Sequence, residues 1–342
     1  MDQQTPARRR PTTLTDVARL AGVSVATASK ALNGRDQVRA ETRLRVLEAA
    51  EQLSFFPNAL ARGLLEGRSG TVGLITSDLE GRFSIPVLMG AEDAFGTGSV
   101  SVFLCDARGD AIRERHHVNA LLSRRVDGLI VVGADTDPRP SLGHNLPVPV
   151  VYAYAPSEAA EDVSITADNI GAGRLAIDHL IACGRTRIAH ISGDPAYKAA
   201  QDRAVGATEA LKDAGLDLVG GQTYFGAWSE AWGRGAARML STQHPEIDAF
   251  FCASDQIARG ALEALRELGR DVPRDVSVIG FDNWEVLATN ARPELTSIDM
   301  NLEKIGAVAA QHLFKAIEGK HGGGTQALPC RVVTRESTAP VE

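Results

Sequence analysis

Cysteine, histidine and glycine residues are the places where this sequence could carry catalytic or metal-binding chemistry. Cys105, Cys183, Cys252 and Cys330 lie far apart without a Cys-x-x-Cys pair, which argues against a zinc site and fits reduced thiols in a cytosol. The glycines at 322–324 have no strand before them and no helix after them, so they indicate a surface loop and not a phosphate cradle. The sequence has no P-loop, no His-Glu-x-x-His motif and no Gly-x-Ser-x-Gly motif after a strand. We therefore predict no enzyme activity, no cofactor and no metal.

Charge is distributed unevenly along the chain. The net charge of the 342 residues is −7, but residues 1–68 hold 11 Lys and Arg against 7 Asp and Glu. The remaining residues hold 25 Lys and Arg against 36 Asp and Glu, so an acidic body that repels phosphates follows a basic segment. We expect a polyanion to bind the basic segment. Since the sequence has no apolar run of about 18 residues and no signal peptide, we expect a cytoplasmic protein with no membrane partner.

Three short helices are predicted in the basic segment. Thr13 and Asp16 match a capping box at the start of the first helix, and Gly22 allows the turn that follows it. The second helix, from Val25 to Leu32, is rich in small residues, and this order of helix, turn and small helix is typical of a helix-turn-helix. The third helix, near Ala40 to Leu53, is expected to complete the core with one apolar face. That face consists of Leu44, Leu47, Ala50 and Leu53.

The same segment resembles the headpiece of the lactose-repressor (LacI/GalR) family of bacterial transcription regulators. The resemblance rests on an ungapped series of motifs: Leu14-Thr15-Asp16-Val17-Ala18, Ala21-Gly22-Val23-Ser24, Thr27-Ala28-Ser29, Leu32-Asn33-Gly34 and Pro57-Asn58-Ala59. It implies a DNA-binding headpiece over residues 1–57, with a disordered basic arm at 1–11. Residues 58–70 are then expected to form a hinge helix and a linker.

The resemblance also implies that the second helix lies in the major groove of DNA. Val25, Ala26 and Lys30 would face base edges, with Leu14 touching the groove. Val25 and Ala26 offer only apolar contact, for instance to a thymine methyl group, whereas Lys30 can donate to guanine O6 or N7. A plain phosphate contact is the alternative role of Lys30. The other DNA-binding residues expected are Thr15, Ser24, Thr27, Ser29, Asn33, Asn58 and Leu64, the last as a wedge in the minor groove.

Beyond Gly70, short β-branched runs alternate with helical stretches, which predicts parallel sheets covered by helices. A second series of the same kind begins near Asn169, so two lobes are expected. The family resemblance continues through this body and implies a periplasmic-binding-protein type I fold for residues 71–342, with chain crossovers near 168, 297 and 330. Its motifs are Val72-Gly73-Leu74-Ile75, Val126-Asp127-Gly128, Ala167-Asp168-Asn169, Ala253-Ser254-Asp255, Val276-Ser277-Val278-Ile279-Gly280-Phe281-Asp282-Asn283 and Arg335-Glu336-Ser337.

By this resemblance a small-molecule effector binds in the cleft between the lobes. A polyol needs carboxylates and a guanidinium for its hydroxyls and an aromatic face for its CH surface. The residues expected to supply these groups are Phe83, Ser84, Tyr197, Arg203, Trp228, Ser254 and Asp282. Tyr154 is added because it stands where many family members have Asp or Asn, and this departure leaves the ligand class open.

Structural roles remain as alternatives for some of these residues. Asp282 could cap the turn after a strand, Arg203 could face solvent, and Trp228 could belong to the core. Asp168 is expected to cap the helix that begins at Asn169 instead of touching ligand.

The resemblance implies a sequence-specific DNA-binding transcription regulator, by family default a repressor. A homodimer is expected, because a two-fold protein matches a palindromic operator. A sugar is the first expectation for the effector, which would move the lobes and change the distance between the two hinge segments of the dimer. The alternatives are a repressor activated by a purine or another corepressor, and a non-secreted small-molecule-binding protein.

Overall fold

The structure, a computed structural model, describes residues 12–32, 37–53, 55, 68–79, 81–96, 100–143 and 145–340. The chain divides into two compact units, residues 1–69 and residues 70–342. The arm at 1–11, the hinge helix, Asn33, Asn58 and Leu64 lie outside the described residues, so the expectations for them stay predictions.

The first unit contains the three helices that the sequence predicts: α1 Leu14–Leu20, α2 Val25–Leu32 and α3 Ala40–Gln52. Asp16 accepts a hydrogen bond from the Thr13 amide at 2.9 Å, as expected for a capping box at the start of α1. Gly22 adopts a φ of +67° between α1 and α2, a conformation that favours glycine. The turn of the helix-turn-helix is therefore formed as its sequence indicates.

The core of this unit differs from the prediction for α3. Leu44 and Leu47 are 61% and 45% exposed, so the expectation that they face the core is wrong. The inward face keeps Ala50 and Leu53 of the predicted set, with Leu53 half-buried against the core, but Val46 and Ala49 take the place of the two leucines. Its buried residues are Val46, Ala49 and Ala50, which pack against Val17, Ala18, Ala21, Ala28 and Ala31. The small alanines let the three helices approach closely, and a face with leucines at 44 and 47 would hold them apart.

The second unit contains two lobes, each built on a six-stranded sheet. In lobe 1 all strands are parallel, in the order β11-β5-β4-β3-β1-β2. Its strands are β1 Thr71–Thr76, β2 Ser101–Asp106, β3 Gly128–Val132, β4 Val150–Ala153, β5 Val163–Ala167 and β11 Gly324–Leu328. Its helices are α4 Ser84–Phe95, α5 Ala111–Ser123 and α11 Leu302–Ile317.

Lobe 2 repeats this arrangement in the order β12-β10-β9-β8-β6-β7, with β12 antiparallel to β10. Its strands are β6 Ile188–Ser192, β7 Thr223–Phe225, β8 Ala249–Cys252, β9 Ser277–Phe281, β10 Thr296–Asp299 and β12 Arg331–Val333. Its helices are α6 Asn169–Ala182, α7 Lys198–Asp213, α8 Glu230–Gln243, α9 Asp255–Glu267 and the short α10 Glu285–Ala288. Strands β6, β8 and β9 are buried along their whole length, which fits their largely apolar sequences.

The chain passes between the lobes three times. It crosses at Asp168 between β5 and α6, at residues 300–301 between β10 and α11, and at residues 329–330 between β11 and β12. Asp168 accepts a hydrogen bond from the Gly171 amide at 2.8 Å and so caps α6, as expected. Neither lobe is therefore one continuous segment.

Pairs of glycines set the distance between three pairs of helices. A Cβ on Gly206 of α7 would lie 1.9 Å from the Ile170 carbonyl oxygen of α6, and one on Gly173 of α6 would lie 2.2 Å from the Arg203 carbonyl oxygen of α7. Gly90 and Gly306 do the same for α4 and α11, and Gly233 and Gly260 for α8 and α9. At each crossing, each helix rests on the backbone of its partner where only glycine fits.

Candidate functional site

The surface of α2 in the first unit is a candidate for contact with DNA. Val25, Ala26 and Lys30 are exposed, whereas Ala28 and Ala31 are buried in the core. The Thr27 amide donates to the Ser24 hydroxyl at 3.1 Å, which fixes the start of the helix. The exposed face therefore carries two small apolar side chains and one cation.

The other predicted DNA contacts in this unit lie around that face. Thr15 and Ser24 are exposed, and Thr27, Ser29 and Leu14 are half-buried, with Leu14 packed against the core. A helix surface with small apolar side chains and one long hydrogen-bond donor suits the major groove of DNA, which presents both thymine methyl groups and hydrogen-bond acceptors.

In the second unit, the lobes bring the carboxyl ends of their first strands face to face. In lobe 1, β1 lies between β2 and β3, and in lobe 2, β6 lies between β7 and β8, so the strand order reverses beside each first strand. Ligands of open α/β sheets bind outside the carboxyl ends of strands at such points. Two binding crevices therefore open into one cleft.

A cavity of about 350 Å³ occupies this cleft, and we call it the inner cavity. Among the residues that line it are Phe83, Tyr154, Tyr197, Arg203, Trp228 and Asp282, all of which the sequence predicts. The fold thus brings together residues that lie up to two hundred positions apart. The volume of the cavity is in the range typical of small-molecule sites.

Arg203 supplies a buried cation to the inner cavity. Its Nε donates to Asn169 Oδ1 at 2.9 Å, and its Nη1 donates to the Ala253 carbonyl at 2.7 Å. The guanidinium lies 3.5 Å from the centre of the Phe281 ring, and 3.9 Å separates Nη1 from Asp282 Oδ1. Burial lowers the pKa of Arg203, partly countered by the Asp282 carboxylate. The group is therefore held rigidly and does not face solvent.

Asp282 is the buried carboxylate opposite Arg203. It follows β9 with a φ of +102°, an unfavourable conformation for a residue with a side chain. Burial raises its pKa, and the nearby guanidinium groups of Arg82 and Arg203 oppose that rise. A carboxylate held in this way can accept hydrogen bonds from ligand hydroxyls.

Two aromatic pairs form the apolar part of the wall. The rings of Phe83 and Tyr154 stack with centroids 5.3 Å apart, and those of Tyr197 and Trp228 meet edge to face at 6.1 Å. Trp228 packs over Gly193, where a Cβ would lie 2.1 Å from the indole ring. Burial also raises the pKa of Tyr154, so its hydroxyl stays neutral.

Ser84 and Ser254 do not line the inner cavity. The Ser84 hydroxyl is buried and hydrogen-bonded to Thr76 Oγ1 at 2.9 Å, at the start of α4. Ser254 caps α9 by accepting from the Ile257 amide at 3.3 Å. Both serines fix the elements around the cleft, and a ligand contact by either one stays a prediction.

Several polar residues of the cavity were not predicted. They are Asp78, Arg82, Asp135, Thr136 and Gln256. Asp78 follows β1 and Asp135 follows β3. Their positions just after strands of lobe 1 could have indicated from the sequence that they line the cleft. Burial raises the pKa of Asp135. Thr136 Oγ1 is buried and has no hydrogen-bond partner among the described residues, so it is available to a ligand.

Within the part of the chain that the structure describes, no group of three or more His, Cys, Asp or Glu side chains is placed to hold a metal ion. Among the same residues, no helix combines the length and apolarity needed to cross a bilayer.

Comparisons with known proteins agree with this architecture. Residues 13–58 match the family model of bacterial regulatory proteins, lacI family, and residues 177–338 match that of the periplasmic binding protein-like domain. The chain is 33% identical to catabolite control protein A of Priestia megaterium, covering 95% of this chain and 99% of that protein. It is 36% identical to the HTH-type transcriptional regulator CelR of Thermobifida fusca, covering 92% and 94%.

Solved structures show the same likeness. The Lac repressor dimer bound to operator and the anti-inducer ONPF has a TM-score of 0.74 at 27% identity, covering 96% of this chain and all of that one. The complex of the transcriptional regulator CelR with cellobiose has a TM-score of 0.62 at 31% identity, covering 95% and 99%. The predicted fold, a helix-turn-helix headpiece followed by a two-lobed periplasmic-binding-protein type I domain, is confirmed.

Proposed function

This chain belongs to the lacI family of bacterial regulatory proteins, and from that premise we propose that it is a repressor whose operator affinity is set by a sugar bound in the inner cavity. Its function as a DNA-binding transcription regulator follows from family membership. The observation that carries the proposal is the convergence of Asp282, Arg203 and Trp228 on one cavity. A regulator of this kind acts in the cytoplasm, where bacterial DNA lies.

The α2 surface supports the DNA-binding half of the proposal. The exposed Val25 and Ala26 can meet thymine methyl groups, and Lys30 can reach a guanine edge. Thr15, Ser24, Thr27 and Ser29 carry hydroxyls suited to phosphate oxygens. We assign the same positioning role to Asn33 and Asn58 and a minor-groove wedge to Leu64, on the family resemblance alone.

The charges of the inner cavity favour a neutral polyol over an anion. Asp78, Asp135 and Asp282 line it against two cations, Arg82 and Arg203. The carboxylates accept hydrogen bonds from hydroxyls, and the Trp228 face suits the CH surface of a sugar ring. CelR, a relative of similar length, forms a complex with cellobiose. The stacked pair of Phe83 and Tyr154 supports the alternative, a planar purine acting as corepressor.

An apolar edge of lobe 1 supports the homodimer. β2 is the last strand of its sheet, and its Phe103 and Leu104 are 44% and 45% exposed. Exposed apolar edge strands are unfavourable unless another chain covers them. We propose that this edge forms part of the dimer contact. A two-fold dimer places two α2 helices on the half-sites of a palindrome, and lobe movement then alters the distance between its two hinges.

Fluorescence polarisation of a labelled palindromic operator tests this function. The labelled operator is titrated with the purified protein, with one sugar or one purine present at a time. The salt concentration is kept fixed because salt alone changes the affinity strongly. A sugar that weakens operator binding supports the proposal. A purine that tightens binding shows a corepressor instead, and no response to either class contradicts the assignment of the cleft.

Two tryptophan variants link the response to the inner cavity. Trp228→Ala removes the stacking face and is expected to weaken the effector response about tenfold, with operator affinity unchanged when no sugar is present. Trp232→Phe is the control, because Trp232 does not line the inner cavity, is half-buried against the core of lobe 2 and donates to the Ser192 carbonyl at 2.9 Å. Equal responses from the two variants would place the effector elsewhere.

A further inference from the structure

A second cavity of about 590 Å³ adjoins the inner cavity, and we call it the outer cavity. Arg82, Phe83 and Asp282 line both cavities, so these three residues form the partition between them. The outer cavity is also lined by Asp299 and Asn301, which lie at the second crossover between the lobes. Two neighbouring cavities therefore share Arg82, Phe83 and Asp282.

Two of the three partition residues, Arg82 and Asp282, form an ion pair between the lobes. Arg82 precedes α4 of lobe 1, and its Nη2 lies 2.5 Å from Oδ2 of Asp282, which follows β9 of lobe 2. The side chains of Arg82 and Asp282 are 21% and 3% exposed. This contact occupies Asp282 Oδ2, whereas Oδ1 lies 3.9 Å from Arg203 Nη1, so a ligand hydroxyl that binds Oδ2 competes with Arg82.

The Arg82 guanidinium also covers two aromatic faces. It lies 4.5 Å from the ring centre of Phe83 and 4.6 Å from that of Trp284, which lines the outer cavity. Its Nε is buried and has no hydrogen-bond partner among the described residues. Because the Nε donor of this half-buried side chain is left unsatisfied, its position is less favourable than that of a fully paired arginine.

We propose that Arg82 is a gate residue, and that the effector which displaces it is a neutral saccharide of two or more rings spanning both cavities. Removal of Arg82 from Asp282 joins the two cavities and uncovers Trp284 as a second stacking face. It also leaves Asp78, Asp135 and Asp282 in the inner cavity against Arg203, a balance that disfavours anions. This inference rests on the proposed sugar effector and specifies its class.

Calorimetric titration of the full chain tests the gate. The ligands are glucose and galactose and the disaccharides cellobiose, maltose and lactose. For at least one disaccharide we expect binding at least about tenfold tighter than that of its monosaccharides. Arg82→Ala should tighten that binding about tenfold further, because the competent state no longer requires an ion pair to break. Arg113→Ala, an exposed arginine on α5 of the same lobe, is the control and should bind as the parent does.

The opposite results are equally clear. Weaker sugar binding by Arg82→Ala would make Arg82 a ligand contact and overturn the gate. Equal affinities for a disaccharide and its monosaccharide would overturn the two-cavity ligand. Trp284→Ala should lower disaccharide affinity and leave monosaccharide affinity unchanged, and an equal loss for both would also contradict the second stacking face.

A measurement without ligand separates the gate from the sugar proposal. Hydrogen exchange of peptides covering residues 133–137 and 252–257 should be faster in Arg82→Ala than in the parent and in Arg113→Ala, since the cleft opens without its ion pair. Unchanged exchange overturns the gate. If exchange is faster in Arg82→Ala but no variant binds any sugar, the gate is supported. The saccharide that spans both cavities and the proposed sugar effector are then both overturned.

Discussion

Lys30 is the side chain on which we expect discrimination between operator sequences to depend. Its neighbours on the exposed face of α2, Val25 and Ala26, have no hydrogen-bonding side-chain atoms. Lys30→Ala is expected to remove discrimination at one operator position, worth about 1–3 kcal/mol, and to leave nonspecific binding nearly unchanged. Polarisation titrations against operators with single base changes measure this. A uniform loss across all sequences, with a smaller salt dependence, would make Lys30 a phosphate contact.

Asp255 gives the effector domain a pH dependence of its own. It is buried, accepts from the Ser297 hydroxyl at 2.6 Å and lies near Asp282. Burial, and next the Asp282 carboxylate, raise the pKa of Asp255 to about 8. The folded protein therefore keeps a proton that the unfolded chain releases near a pKa of about 3.9. Between these values the free energy of unfolding falls as pH rises, by at most about 1.4 kcal/mol per pH unit.

The upper part of this range excludes the histidine contribution, and comparison with an Asp255 variant then separates Asp255 from Asp282, whose pKa burial also raises. Burial lowers the pKa of His190 to about 3, so His190 contributes the opposite slope, but only below the ordinary histidine pKa of about 6.5. From about pH 6.5 to 8, denaturant unfolding of the parent should show stability falling with pH, and Asp255→Asn should flatten that slope. Identical slopes for the two proteins would show that Asp255 is already ionised in the folded state.

At the scale of helices, the crossing of α6 and α7 positions the effector site. Gly206 contacts the backbone of α6 and lies one turn after Arg203, which reaches into the inner cavity. Gly206→Ala should push the helices apart, lower the free energy of unfolding by about 1–3 kcal/mol and weaken effector binding. Operator binding without effector should persist.

The control for this substitution is another helical glycine. Gly235 lies on α8, and a Cβ added there meets no atom within 4 Å. Gly235→Ala should therefore raise stability by roughly 0.5–1 kcal/mol through helix propensity alone. Thermal unfolding with and without effector measures both variants. A stabilised Gly206→Ala variant would show that the crossing is not tight.

The sequence was informative about elements wherever local chemistry determines them. The caps at Thr13 and Asp168 and the turn at Gly22 form as local residues indicate. The positions of Leu44 and Leu47 on α3 were wrong because leucines and alanines are both apolar at helical spacing, and only close packing decides which stripe turns inward. The glycine crossings were not predicted, since each depends on a helix distant in sequence.

For the candidate site too, residues in local motifs could be predicted and contacts between distant segments could not. Arg203, Trp228 and Asp282 could be placed from motifs, and they do line one cavity. Arg82 could not, because it belongs to no motif and its partner lies two hundred positions away in the other lobe. Contacts between lobes depend on how the lobes meet, and no local pattern records that.

At the scale of the whole molecule, the β2 edge predicts how the chain associates. Phe103→Glu places a charge on the exposed apolar edge and should dissociate the dimer, with a loss of operator affinity of at least about tenfold. Analytical ultracentrifugation should then give the mass of one chain, 36.3 kDa, in place of twice that value. Ile112→Glu, at an exposed position on α5, is the control and should remain dimeric. A dimeric Phe103→Glu variant would place the contact elsewhere.

The three crossovers between the lobes also limit how this protein can be recombined with its relatives. A single junction near residue 70 exchanges the whole DNA-binding unit, because only one chain segment joins it to the rest. An exchange of one lobe requires matched junctions near residues 168, 300 and 330 together. The DNA-binding unit can therefore be transferred between relatives as a block, whereas a single lobe can be exchanged only when all three junctions are matched.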